Sequence, residues 1–245
     1  MSKPLFRGDI MKIDVSYYSS VGGRKNNEDY LAVLKRKDKY IFALADGLGG
    51  HDFGEIASKL SVNTIMNSLK DSEISFESLN TAISKANDAV LSKNSFNSMK
   101  STLALICLTN NTAYAVNVGD TRIYQFRNNE IIFQSTDHSM AQMAVIVGDI
   151  TPPQIRTYLD RNKLTRALGS DITVKPDISV LNVEEGDSFL ICSDGFWENI
   201  FEQEMCDLLF IAESSKNWID NMRKHVNAKI KDDCDNNSAI AVMIK

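Results

Sequence analysis

The chain has 245 residues, 43% hydrophobic and 24% charged, the composition of one globular domain large enough to bury its own core. Its formal net charge of −5 argues against a nucleic-acid binder, which carries a basic face, and against a protein held on anionic lipid. No apolar run reaches the roughly 18 residues of a membrane span, and no apolar segment near the N-terminus leads to a small-residue cleavage site. Cys107, Cys192, Cys206 and Cys234 lie far apart with no CxxC spacing. They read as packing residues rather than disulfide or zinc partners. The expectation is a cytoplasmic monomer.

Alternating apolar residues predict strands over 12–19, 30–35 and 39–45, with a turn at Lys37-Asp38 between the second and third. Two helices follow. Ile56, Leu60, Met66 and Leu69 lie near one stripe of the first; Leu79, Ala82, Ile83, Ala86 and Val90 form the apolar face of the second. Strands are then predicted over 101–108, 112–118, 122–127 and 130–134, with Asn110-Asn111 and Asn128-Asn129 supplying turns that tolerate a left-handed backbone. Residues 139–168 read as mostly helical, interrupted at Pro152-Pro153. Strands recur over 174–180 and 188–192. Two helices carry Met205, Leu208 and Leu209, then Trp218, Met222, Val226 and Ile230, and a last strand spans 238–244. Paired helices between groups of strands predict an α+β layered fold; no GxGxxG follows a strand.

Three strands end on an aspartate beside a glycine: Asp46 before Gly47, Asp120 after Gly119, and Asp194 before Gly195. Asp29 and Asp235 stand immediately before two further strands. Each alone reads as a turn. Together, at one rim of a layered sheet, such carboxylates would repel one another unless cations neutralised them. Oxygen ligands without paired His or Cys select hard ions, Mg²⁺ or Mn²⁺. These five aspartates would account for the acidic surplus.

The segments around these residues are 22-GGRKNNED-29, 45-ADGLGGH-51 continued by 54-GEIAS-58, 118-VGDTR-122, 136-TDHS-139, 164-LTRALG-169, 192-CSDGFWE-198 and 235-DNNS-238. In content and order they resemble the motif series of the metal-dependent Ser/Thr protein phosphatases of type 2C, in the bacterial form. The resemblance covers nearly the whole chain from about residue 13. It implies a four-layer αββα sandwich, two antiparallel β-sheets flanked by pairs of helices. It also implies a short arm over 1–10, a single catalytic domain over 11–245 and a flap near 139–162.

For the site, the resemblance implies two or three divalent ions, Mn²⁺ or Mg²⁺. Asp46 matches the ligand that bridges two of them, and Asp194 and Asp235 the other ligands of the first. The Gly47 carbonyl, with Glu28 and Asp29, matches the surroundings of the second. Asp120, shared with Asp194, matches a third, weaker site, and Arg24 the arginine that holds the substrate phosphate. The implied reaction is in-line attack of a metal-bridging hydroxide on phosphoserine or phosphothreonine, reversing a Ser/Thr kinase. No covalent phosphoenzyme is needed, and no CxxxxxR motif is present.

Some members carry a His after the Asp-Gly pair; here that position is Leu48, so leaving-group protonation would fall elsewhere. His51 is a nearby candidate. His138, Trp197 and Trp218 read as structural. Lys100 replaces a common glycine, and Thr121 a common serine, without removing a ligand. The rivals are a non-catalytic protein on the same fold, which would be expected to lack ligands, and a two-metal nuclease, against which the missing basic stripe speaks.

Overall fold

The computed structural model describes residues 12–36, 38–49, 53–93, 99–229 and 234–245. The expected arm over 1–10, Lys37, His51 and Ile230 lie outside the described residues.

Eleven strands and six helices are described: β1 (Ile13–Ser20), β2 (Asp29–Lys35), β3 (Lys39–Leu48), α1 (Phe53–Leu69), α2 (Phe76–Lys93), β4 (Lys100–Ser101), β5 (Leu103–Thr109), β6 (Thr112–Val118), β7 (Arg122–Arg127), β8 (Glu130–Gln134), α3 (Met140–Ile146), β9 (Asp177–Asn182), β10 (Ser188–Cys192), α4 (Asp194–Trp197), α5 (Glu202–Phe210), α6 (Ser215–Lys229) and β11 (Asn237–Ile244). The strands form two antiparallel sheets. One runs β1-β11-β10-β7-β8; the other runs β2-β3-β5-β6-β9, with β4 paired to β3.

Alternation within each strand sends one row of side chains between the sheets and the other outward. Phe42, Leu44, Ala104 and Ile106 meet Ile123, Phe189, Ile191, Ile240 and Val242 in the central layer. The outward rows are covered by helices, so the central strands are apolar on both faces. Ile41, Ala43, Leu103 and Leu105 lie under α1 and α2. Tyr124, Phe126, Leu190 and Ala241 lie under α5 and α6, where Trp218 packs edge-on against Phe126. This is the expected αββα order. No helix among the described residues is long and apolar enough to cross a membrane.

The turn chemistry reads through: Asn110, Asn128 and Asn129 all have positive φ. So does the α2 stripe, all of it buried. Four expectations change. In α1 the second half of the expected stripe, Met66 and Leu69, is buried as read, but in the first half Ala57, Ser58, Ser61, Val62 and Ile65 pack instead, while Ile56 is exposed and Leu60 only partly covered. The helix starts so close to β3 that only small side chains fit beneath its first turns. Residues 139–168 hold only α3 and a 3₁₀-helix at Pro152–Thr157; an isolated bridge between Ser139 and Leu164 closes the excursion. The strand expected over 174–180 forms later, as β9, and Val174 packs against the α1/α2 layer instead. Finally, β3 continues past Asp46 to Leu48, and Asp194 opens α4 rather than ending a strand.

Candidate metal centre

The carboxylates come to one end of the sandwich from both sheets. Asp29 opens β2 and lies opposite Asp46 in the β2–β3 register. Asp46 is held by its backbone, donating to Thr102 Oγ1 and accepting from the Thr102 N–H, both at 2.8 Å. The Gly47 N–H donates to the Glu28 carbonyl at 3.1 Å. A Cβ on Gly47 would overlap the Gly54 carbonyl, and a Cβ on Gly54 would lie 2.6 Å from the Glu28 carboxyl and 2.8 Å from the Gly47 carbonyl oxygen. The two glycines therefore let α1 close on β3, leaving the Glu28 carboxyl and the Gly47 carbonyl as neighbours.

The remaining carboxylates lie outside the strand ladders. Asp120 sits between β6 and β7, its carbonyl accepting from the Trp197 indole at 3.0 Å. The Asp194 carboxylate accepts from the Gly195 N–H at 2.6 Å. A Cβ on Gly195 would overlap the Asn236 carbonyl, so the start of α4 is pressed against the loop that carries Asp235. Asp235 Oδ1 accepts from the Asn236 N–H at 2.8 Å, and Oδ2 pairs with Arg24 at 2.8 Å. The resemblance gives Arg24 to a phosphate and Asp235 to a metal; here each answers the other's charge.

Burial, followed by the charges of Asp194, Asp29, Asp120 and Asp235, pushes the Asp46 carboxyl well above its usual range. Asp194 is raised in the same way, by burial and then by Asp120 and Asp235. Burial takes Asp29 up to about 6 against the hydrogen bonds of Ser238 and Ser193, and takes Asp120 up to about 7 with help from the charge of Asp137. Asp46 and Asp194 keep partial contact with solvent at the cleft, while Asp29 and Asp120 are buried.

Among the described residues, no three acidic, thiol or imidazole side chains surround one ion-sized point. The donor set nevertheless fits hard divalent cations. Asp29 Oδ1 is buried without a hydrogen-bond partner. Asp46 and Asp194 are raised by burial and then by neighbouring carboxylate charge, a cost that a cation would relieve. The candidate ligands themselves are all oxygen donors, the chemistry of Mg²⁺ or Mn²⁺.

Several supporting residues sit inside the quoted motifs without a role readable from sequence. Asn236 accepts from the Glu28 N–H at 2.8 Å and donates to the carbonyls of Val21 (2.7 Å) and Asn26 (3.0 Å), pinning the β1–β2 loop to the Asp235 loop. Ser193 donates to Asp29 Oδ2 at 2.7 Å and accepts from the Ser238 N–H at 3.0 Å, tying the sheets together. A buried Asn or Ser within a ligand motif is the only sequence signal for such roles. His138 accepts from the Gly119 N–H through Nδ1 at 3.1 Å, and its Nε2 faces Asp177 at 3.2 Å and Arg166 at 3.0 Å, so its surroundings are structural. Trp197 and Trp218 are buried, as expected. The four cysteines are unpaired thiols; burial raises Cys107 to about 12.

Residues 19–233 match the family model described as Protein phosphatase 2C. The chain belongs to the protein phosphatase 2C family. Among curated relatives, the serine/threonine phosphatase stp of Listeria welshimeri is 31% identical over 197 residues, covering 76% of this chain and 78% of that protein. Among solved structures, the Mycobacterium tuberculosis serine/threonine phosphatase PstP/Ppp superposes with a TM-score of 0.84 at 27% identity, over 95% of this chain and 99% of its own. The catalytic domain of PstP in complex with two manganese ions gives a TM-score of 0.81 at 26% identity, with 95% and 99% coverage.

Proposed function

We propose that this chain is a metal-dependent protein phosphatase that hydrolyses phosphoserine and phosphothreonine in proteins. The observation that carries the reading is the gathering of Asp29, Asp46, Asp120, Asp194 and Asp235 at one end of the sandwich, where burial and then neighbouring carboxylate charge push Asp46 and Asp194 well above the usual range. In this reading Asp46, Asp194 and Asp235 hold one ion. Asp46, the Gly47 carbonyl, Glu28 and Asp29 surround a second. Asp120 and Asp194 hold a third. The ions, when bound, supply an acidified water as nucleophile and positive charge for the phosphoryl oxygens.

The chain's own residues shape the rest. A cleft of about 310 Å³ is lined by Arg24, Arg161, Asn162, Asp194, Glu198 and Asp235. Arg24 stands at its mouth with its side chain 54% exposed. A ligating Asp235 holds Arg24 less firmly, which frees the guanidinium fork for two phosphate oxygens. Glu198, raised by burial against the opposing charge of Arg161, adds a further carboxyl to the cleft lining. Substrate phosphoproteins would come from a cognate Ser/Thr kinase, with the enzyme acting as a cytoplasmic monomer of one catalytic domain over 11–245 and segment 139–162 as its flap.

The test is release of phosphate from a phosphothreonine peptide. Activity should require Mn²⁺ or Mg²⁺, vanish with chelator, and return on adding metal. Asp46→Asn and Asp194→Asn should each lower kcat/KM by more than about 100-fold, beyond the range for residues that merely support ligands. Near-normal activity in both variants would remove the ligand assignment.

A further inference from the structure

Segment 139–162 reaches the turn that follows Asp194 through two cations: Arg161, paired with Glu198 at 2.9 Å and 35% exposed, and the far less exposed Arg156. Its apolar seat is small: Ala141 and Ile155 are buried in the layer under α5 and α6, and Val145, Ile150 and Tyr158 are only partly so. Arg156, in the 3₁₀-helix, is 8% exposed. Its Nη2 donates to both oxygens of Glu202 at 2.9 Å and to the Ile200 carbonyl at 3.3 Å. Its Nε donates to the Trp197 carbonyl at 3.3 Å. Trp197 ends the short helix that Asp194 begins. One planar guanidinium meets a carboxylate and two carbonyls here; an ammonium, a point donor on a flexible stem, is not pre-shaped for this set.

The same residues hold Asp120. The Trp197 indole donates to the Asp120 carbonyl. The Arg122 guanidinium lies 3.5 Å from the centre of the Trp197 ring and grips Asp137 through Nε and Nη2. Glu202 Oε1 accepts from Arg156, from the Tyr124 hydroxyl at 3.2 Å and from Arg122 at 3.4 Å. Burial alone would raise the Glu202 carboxyl; the Arg156 hydrogen bond and charge outweigh it and hold the group below its ordinary value. Glu202 is thus an ionised hub joining the segment, the Trp197 turn and the strand that follows Asp120.

We propose that Arg156 is a positioning residue for the metal centre: it pins the Asp194–Ile200 turn and Trp197, and so couples the seating of segment 139–162 to the placement of Asp194 and Asp120. The proposal rests on the reading of those two aspartates as ligands given above. Linkage makes the coupling reciprocal, so cation binding at Asp120 and Asp194 favours the seated segment, and a seated segment favours cation binding.

The experiment compares the full chain with Arg156→Gln, Arg156→Lys and Glu202→Gln by amide hydrogen exchange, without metal and with Mn²⁺, and by calorimetric Mn²⁺ titration. In the parent protein Mn²⁺ should slow exchange over 152–158 as well as over 118–122 and 194–199. In Arg156→Gln, metal-free exchange over 118–122 and 194–199 should quicken about 10-fold, Mn²⁺ should no longer protect 152–158, and the weakest Mn²⁺ step should weaken about 10-fold, the scale of losing a group that orients ligands. Arg156→Lys should recover part of each change. Unchanged amides in β5 and β10 show that a variant is folded. If Arg156→Gln does not fold, Glu202→Gln decides by the same pattern. Parent-like exchange over 118–122 and 194–199 together with a parent-like titration would overturn the proposal. Failure of the phosphatase reading looks different: a parent protein that neither binds Mn²⁺ nor releases phosphate, while the metal-free exchange comparison still decides the coupling.

Discussion

The carboxylates are delivered by two different means. On the β2–β3 side, Asp29 and Asp46 face one another because the strand register puts them there, and Gly47 and Gly54 let α1 lock the pair from outside. The other three lie off the ladders: Asp194 opens α4 after β10, Asp235 precedes β11, and Asp120 lies where the chain crosses from β6 of one sheet to β7 of the other. No ladder fixes them, so side-chain hydrogen bonds do: Asn236, Ser193, Trp197 and, beneath Trp197, Arg122 and Arg156. Strand-borne ligands inherit the rigidity of the sheet. Turn-borne ligands depend on a second layer of polar groups, which is where tuning and coupling enter.

That contrast can be broken most severely at Asp46, where the loss of more than about 100-fold in kcat/KM proposed above should come with an intact fold, because a ladder position tolerates the isosteric amide. The turn side is probed by Asn236→Ala, which removes three hydrogen bonds to the β1–β2 loop. Mn²⁺ affinity by calorimetry should fall about 10–100-fold, the usual effect of losing a group that orients ligands. Gly47→Ala attacks the strand side through packing instead. Its Cβ meets backbone that has no flexible end to move, and urea unfolding should show a loss of about 1–3 kcal/mol.

A smaller effect distinguishes the charged centre from the rest of the fold. A carboxyl raised in the folded protein favours folding less once it ionises in the unfolded chain. Asp29, at about 6, and Asp120, at about 7, therefore withdraw stability as pH climbs from near 4 through those values. The acids that salt bridges and hydrogen bonds hold low, such as Asp14, Asp177 and Glu204, already give their full contribution above their ordinary values. Metal-free protein should thus melt at lower temperature at pH 7.5 than at pH 5.5, and saturating Mn²⁺ should reverse that slope. A metal-free melting temperature that rises over the interval would count against the mutual repulsion. Least affected should be Ile56→Ala, on the exposed face of α1, with a change within about 0.5 kcal/mol.

Ile56 also shows where sequence reading ran short. It has the right spacing and character for a buried stripe, yet in the first turns Ala57, Ser58 and Ser61 pack instead, where Gly54 meets Gly47 of β3, and larger residues, Val62, Ile65, Met66 and Leu69, are buried only further along. The α2 stripe read correctly: Leu79, Ala82, Ile83, Ala86 and Val90 are all buried. In 139–168 a plausible apolar period did not become a long helix; Pro152 and Pro153 and the closing bridge between Ser139 and Leu164 cut it into short pieces. Asn236 and Ser193 were visible as letters of motifs, but a hydrogen-bond partner some 200 residues away leaves no local trace.

What the sequence determined by itself is what short-range physics writes: strand and helix periods, left-handed turns at paired asparagines, apolar strands on both sides of a buried layer, and a set of oxygen ligands in a family's order. What only the tertiary structure decided is proximity. The bond from Ser193 to Asp29 between the sheets, the pressing of Gly195 against the Asp235 loop, the pairing of Arg24 with Asp235, and the reach of Arg156 to Glu202 arise from how strands, loops and helices pack. Such contacts join residues far apart in the chain, and their geometry is set by packing rather than by any local pattern.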